Sequence, residues 1–408
     1  MTTLVLVGGG TESLRGVEIA RALGYRVAVL DGNPDAPGLG EADEPLLVST
    51  YDVEGAVASV EALSLRTRVV GVASVAIDAP VTVATVAERF GLPGIPLEAA
   101  RLSCDKIRMK QRFARMGVPT PRFWPVQELA DFREALGSSH AELFVIKPAD
   151  SRGARGVLLV RRGDDLADRL EESMSNSPSR RCLIEEFQFG PQISSESFVT
   201  TDWAETPGFS DRNYLRVDET DPYIIEDGGE APSFVSQAAR DEASALAVAA
   251  GRALGLSRGV VKGDLVITEE GPKVIEVALR LSGGWFCTHQ IPLLTGVDLV
   301  EATIRTAVGE IIERDSVAPR ESGGVAIRYY FPPEGRVCSV PDREVVLSQP
   351  GVKHFGLNVV PGDAVGRVTN HTRRAGHVIA VGSSRDDAIR RAETVIRQFP
   401  IETEQVAS

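Results

Sequence analysis

KVIEVALRLSGGW, residues 273–285, carries two patterns at once. Read with a period of two, Ile275, Val277, Leu279 and Leu281 fall on one side, the apolar set that a strand offers to a core. Glu276, Ala278 and Arg280 fall on the other side, and a Ser-Gly-Gly kink follows. An acid and a base on the front of a strand with so apolar a back need partners on that front.

The preceding segment supplies one. GVVKGDLVI (259–267) is also apolar and β-branched, and the TEEGP that follows it reads as a hairpin turn. If the turn sets Asp264 opposite Glu276, their Cβ atoms lie about 5 Å apart. Carboxylates that close repel each other unless a cation sits between them. With hard oxygen ligands and no histidine or cysteine nearby, that cation is Mg2+ bridging substrate phosphates, Mn2+ being the ion that would substitute for it. Arg280 then meets the charge of a transferred phosphoryl group, and Gly283-Gly284 lets backbone amides approach an anion. The other reading is a surface hairpin with an Arg–Glu pair worth under about 1 kcal/mol. That reading leaves unexplained why Lys106, Lys147, Asp264, Glu276 and Arg280 all stand at element ends in this order.

Two further segments belong with these. In VIKPADSRGARGVLLV (145–160), Lys147 ends an apolar strand, where an ammonium is costly unless it meets an anion. Ser151 to Gly156, with Gly153 and two arginines, reads either as a lid over phosphates or as an ordinary hairpin loop. RCLIEEFQFG (181–190) is an apolar strand running into Glu185, Glu186 and Phe187. Its edge suits a purine, with an acid on a ribose hydroxyl; the alternative is a strand that simply ends at the surface.

The rest of the chain sets limits. Its 408 residues are expected to form two to four domains. The formal charge of −13 argues against an extended nucleic-acid surface, while leaving room for one cationic pocket. Cys104, Cys182, Cys287 and Cys338 are scattered with no CxxC pair, which fits a reducing cytoplasm. Neither a signal peptide nor a membrane-spanning run is recognisable, so a cytoplasmic protein without a membrane partner is expected. TLVLVGGGTESLRGVEIARALGYRVAVLDGNP opens the chain as a βαβ unit. Gly8-Gly9-Gly10 and Asp31 resemble part of a dinucleotide fingerprint, but the full spacing is missing and glycines that only make the turn are the preferred reading. GLSRG (255–259) has the form GxSxG in the wrong structural order, helix before and strand after, and is set aside. A break rich in glycine and proline, GLPGIP (91–96), ends the first region.

Taken together, the order of these motifs resembles the ATP-grasp superfamily over nearly the whole chain. The resemblance implies a mixed α/β and α+β fold. It comprises a Rossmann-like pre-grasp domain (1–95), a small lobe with its entry helix (96–188), a large lobe with the metal and catalytic site (189–318) and a small strand-rich carboxy-terminal domain (319–408). It assigns ATP phosphates to Lys106, Lys147 and the loop containing Ser151, Gly153 and Gly156, and adenosine to Glu185, Glu186, Phe187 and Gln192. Gln192 stands where a glutamate is usual. Asp264 and Glu276 match the magnesium carboxylates, Arg280 and Lys147 the catalytic cations, and Ala278 replaces the usual asparagine ligand. Lys262, often histidine, and Ser282, Gly283, Gly284 and Trp285 match the substrate side. The closing segment is similar to that of amino-acid ligases. The implied activity is ATP-dependent ligation of a small-molecule carboxylate to an amine, in a protein whose relatives are usually homodimers. Rival readings are a bicarbonate-using carboxylase, an ATP-binding module without turnover, and a Rossmann oxidoreductase.

Overall fold

The computed structural model describes residues 2–405. Strands β1 (Thr2–Val7), β2 (Arg26–Asp31), β3 (Glu44–Leu47) and β4 (Arg68–Ser74) form a parallel sheet in the order β3-β2-β1-β4. At its glycine turn, Gly8 has φ 99°, and a Cβ added there would lie 2.8 Å from Ile77 Cγ2. The Gly9 N–H donates to Asp31 Oδ2 over 2.7 Å and the Asn33 N–H to Oδ1 over 2.8 Å. Asp31 is thus engaged by its own turn, as the turn-only reading of these glycines requires.

The small lobe is an antiparallel sheet of β5 (Phe123–Val126), β6 (Leu143–Pro148), β7 (Leu158–Arg161) and β8 (Cys182–Glu186), in the order β5-β8-β6-β7. β5 escaped the sequence reading because Pro121 precedes it and Pro125 lies within it. It is an edge strand paired only with β8, the place where a sheet tolerates proline.

The large sheet takes β9 (Gln192–Val199), β10 (Ala204–Asn213), β11 (Gly228–Ala231), β12 (Gly259–Thr268), β13 (Gly271–Ala278) and β14 (Gly324–Tyr329). After β15 (Gly335–Ser339) come β16 (Val352–Leu357), β17 (Ala364–Val365), β18 (Gly376–Gly382) and β19 (Glu402–Glu404). The order β13-β12-β9-β10-β11-β14-β18-β16 is antiparallel throughout, and β11 pairs with β14, so the sheet runs unbroken across residue 318. β15, β17 and β19 form a separate small sheet.

Helix Gln237–Leu254 is capped by the Ser236 hydroxyl, which accepts from the Ala239 N–H, and ends at Gly255 in the left-handed region. Its alanines lie on β12 and β13, in a core with Leu265, Val274, Val277 and Leu279. There the alternation of the opening stretch fails at one residue. Asp264 pairs with Glu276 but Leu265 pairs with Val274, so Ile275 is an extra residue, a β-bulge. Val274 is buried in the core, and Ile275, expected on the apolar face, turns out to line a cleft on the opposite side.

Leu265 is completely buried in this core. Leu265→Ala should cost about 2–5 kcal/mol, lowering the urea midpoint at unchanged slope. A loss well under about 1 kcal/mol would show that this contact does not hold the helix to β12 and β13.

Candidate active site

A cavity of about 470 Å3 opens between the small-lobe sheet and the large sheet. β12 and β13 bring Asp264 and Glu276 to it in direct cross-strand register. Neither carboxylate stands alone. Asp264 Oδ1 is 2.9 Å from Arg212 Nη1 and accepts from the Ser194 hydroxyl over 2.9 Å, while Lys262 meets its other oxygen. Glu276 Oε2 lies 3.4 Å from Lys106 Nζ. Burial alone would push both carboxyls up. For Asp264, Arg212 and Lys262 outweigh burial; for Glu276, Lys106, Lys262 and Lys147 do so, and both groups end below the usual carboxylate range. Lys262 pairs across the ladder with Ala278, whose small side chain leaves it room to reach Asp264.

The phosphate-side residues converge as well. Lys106 opens helix Lys106–Met116, behind the Asp105 cap, and its ammonium donates to the Ser151 carbonyl over 2.9 Å. Lys147, at the end of β6, ion-pairs with Glu185. Ser151, Gly153, Glu186, Phe187 and Gln192 also line the cleft. Gly156 does not; its backbone at φ 68° packs so close that a Cβ would lie 2.8 Å from Asn176 Cβ. The loop is docked on both flanks. Arg152 Nε is 2.8 Å from Asp78 Oδ2 and its guanidinium lies 4.1 Å from the Tyr51 ring centre, while the Gly153 carbonyl accepts from the His371 N–H over 3.0 Å.

Two expectations need correction. Glu185, assigned to adenosine, has its carboxylate buried between Lys147 and Lys110, with Lys110 Nζ at 2.8 Å. Burial raises this carboxyl, but the two lysines more than offset it and hold it below its usual range. Its carboxylate is therefore held by the two lysines, although the residue still lines the cleft. Trp285 does not line the cleft; its ring stacks on His377 at 4.7 Å and lies 4.1 Å from His354. With φ 66°, its backbone turns the side chain away from the glycines before it.

The amides expected to face an anion are also partly taken. Glu12, from the first domain, accepts from the Gly284 N–H over 3.0 Å, the Trp285 N–H over 2.8 Å and the Thr288 hydroxyl over 3.1 Å. Glu196, on β9, accepts from the Ser282 N–H over 2.8 Å and from its hydroxyl. Gly283, between them, lines the cleft beside Arg280. Arg280 Nε in turn lies 3.3 Å from Asp78 Oδ1. The sequence reading missed Glu12, Asp78, Lys110, Glu196 and Arg212. Lys110 alone left a signal, lying one helical turn after Lys106 on the same face.

No group of three or more His, Cys, Asp or Glu able to hold a metal ion occurs among the described residues. Two hard carboxylates, ionised by surrounding cations, fit Mg2+, which retains water and takes phosphate oxygens as further ligands.

This geometry is that of a nucleotide-dependent ligase, and sequence comparison agrees. Residues 104–283 match the family model of the phosphoribosylglycinamide synthetase ATP-grasp (A) domain, and residues 328–404 that of the L-amino acid ligase C-terminal domain 2. Residues 104–283 thus form an ATP-grasp domain, and the closing segment is similar to that of the amino-acid ligases; both families are ATP-dependent ligases. A phosphoribosylamine–glycine ligase of Methanococcoides burtonii is 26% identical over 95% of the chain and 91% of its own length. An alanine–anticapsin ligase of Bacillus subtilis is 26% identical over 53% of the chain, which spans only 49% of that enzyme. The crystal structure of L-amino acid ligase from Bacillus licheniformis superposes with TM-score 0.84 at 18% identity, covering 99% of each chain. No helix among the described residues is long and apolar enough to cross a membrane.

Burial pushes the Glu12 and Glu196 carboxyls up to about 7, against the opposing pull of their amide and hydroxyl donors. Both then bind protons more tightly folded than unfolded, so their contribution is full below the ordinary value of 4.5 and is lost as pH rises through about 7. The Glu12→Gln/Glu196→Gln variant lacks that loss, so its Tm should gain on the wild type's between about pH 5 and pH 8. A constant difference in Tm over that range would mean that both carboxyls are ionised throughout.

Proposed function

We propose that the chain joins a small carboxylic acid to an amine, at least one of them an amino acid, at the expense of ATP. The observation that carries this reading is the in-register pair Asp264–Glu276 in a cleft where Lys106, Lys147, Lys262, Arg212 and Arg280 all converge. The match of the closing segment to the L-amino acid ligase C-terminal domain supports amino-acid chemistry.

In this reading Lys106, Lys147 and the amides of the Ser151–Gly153 loop hold the triphosphate, and β8 with Phe187 and Gln192 holds the adenosine. Asp264 and Glu276 would hold Mg2+, which when bound neutralises and orients phosphate oxygens. An oxygen of the substrate carboxylate attacks the γ-phosphorus, the bond to the bridging oxygen breaks, and ADP leaves with that electron pair. Arg280 meets the negative charge on the resulting acyl phosphate, and the amide of Gly283, which lines the cleft, would do the same for the tetrahedral oxygen that follows. The neutral amine nitrogen attacks the acyl carbon, the acyl C–O bond breaks with its electron pair leaving on phosphate, and the phosphate takes up the proton that the nitrogen loses. Docking of the loop on Asp78 and His371 closes the cleft on both flanks, shielding the acyl phosphate from water. Arg374, whose guanidinium stacks 3.5 Å from the Tyr329 ring centre, and Arg212 line the same cleft and suit a substrate carboxylate.

ADP release should require an acid and an amine together, and should be found by screening amino acids in pairs, with bicarbonate as the control for carboxylase chemistry. Hydroxylamine in place of the amine should trap the acyl phosphate as a hydroxamate. Glu276→Gln should lower turnover by at least about a hundredfold. ADP release that survives this substitution, or that proceeds with bicarbonate alone, contradicts the reading.

A further inference from the structure

A second cavity, of about 290 Å3, lies at the seam between the first domain and the large sheet. Val72 and Ala73 of β4 form one wall and Val260, Leu279 and Leu281 the opposite one. Helix Leu299–Ala307 closes it with Thr303 and Thr306, whose hydroxyls donate to the Leu299 carbonyl over 2.8 Å and the Ala302 carbonyl over 2.7 Å. These threonines' hydroxyl protons are therefore spent within their own helix, and hydrocarbon dominates the lining.

Two cations interrupt it. Arg280 lines both this cavity and the catalytic cleft, and is already turned toward Asp78. Arg258 is exposed and carries neither an ion pair nor a hydrogen bond among the described residues, whereas Arg152, Arg212 and Arg280 of the cleft are each paired with a carboxylate. No aspartate or glutamate lines the cavity.

We propose that this seam cavity is an effector site for a small apolar monocarboxylic acid, with its hydrocarbon body between β4 and Leu279–Leu281 and its carboxylate on Arg258. One guanidinium fork matches one carboxylate. A phosphate dianion would be stripped of water without enough donors, and an ammonium or an amino-acid zwitterion would find no carboxylate to balance its cationic end. The occupant is thus not an amino-acid substrate of the cleft. Because Leu279 and Leu281 line this cavity and Arg280 between them lines both, occupancy fixes the segment that places Arg280. The effector role rests on the ligase reading; the binding does not.

Titration calorimetry on the whole chain, its cleft filled with a non-hydrolysable ATP analogue and Mg2+, tests the binding without turnover. 3-Phenylpropanoate and hexanoate should bind, and 3-phenylpropylamine should not. Arg258→Ala, at an exposed position that leaves the fold intact, should weaken binding about tenfold or more, and the cavity-filling Ala73→Phe should abolish it. No binding tighter than about 10 mM, or binding equal in wild type and Arg258→Ala, overturns the site. With the ligase substrates present, 3-phenylpropanoate should change the KM of the acid substrate in wild type but not in Arg258→Ala. An unchanged KM in wild type overturns the effector role.

Discussion

Two carboxylates set opposite each other on neighbouring strands are the constraint around which the molecule is arranged. Asp264 and Glu276 share one cross-strand position, at the separation of about 5 Å at which like charges strongly oppose ionisation. Both nevertheless lie below the ordinary carboxylate range, because Lys106, Lys147, Lys262 and Arg212 surround them. The same cations that keep the pair ionised are those a triphosphate would need. Charge balance in the free protein and complementarity to the nucleotide are thus one property of a single residue set.

The backbone that presents the pair is irregular in one place, and that place matters. Without the bulge at Ile275, strict alternation from Val274 would send Glu276 toward helix Gln237–Leu254 and the core. With it, Val274 stays in the core while Ile275 and Glu276 both face the cleft. Around this centre the other parts of the chain each contribute a hand. The first domain reaches in with Glu12 and Asp78, the small lobe with Lys147 and Glu185, and the closing segment with Tyr329, His371 and Arg374. A cleft assembled from segments so distant in the chain is complete only when the entire chain is folded.

Much of this was legible in the sequence. The TEEGP hairpin follows from turn chemistry and apolar alternation, although the pairing of Asp264 with Glu276 depends on the bulge, and the cations at element ends announced themselves because charge at the end of an apolar strand demands a partner. The parts that escaped have physical reasons. A bulge leaves no mark in a period-two pattern, so Ile275 was placed on the wrong face. Pro121 and Pro125 hid an edge strand. Glu12, Glu196 and Asp78 act through hydrogen bonds and ion pairs to residues at least 74 positions away, and no local pattern reports such contacts. Trp285 looked like a pocket wall by neighbourhood alone, whereas its backbone at φ 66° directs the ring toward the histidines.

The direct measurement is of metal binding itself. Electron paramagnetic resonance of Mn2+, titrated into the protein with a non-hydrolysable ATP analogue, counts bound ion without any need for the correct substrates. The account expects a protein-bound Mn2+–nucleotide signal in the wild type, weakened about tenfold or more in Asp264→Asn and in Glu276→Gln. Equal Mn2+ affinity in all three proteins would mean that these two side chains do not hold the ion, and would contradict the account at its centre.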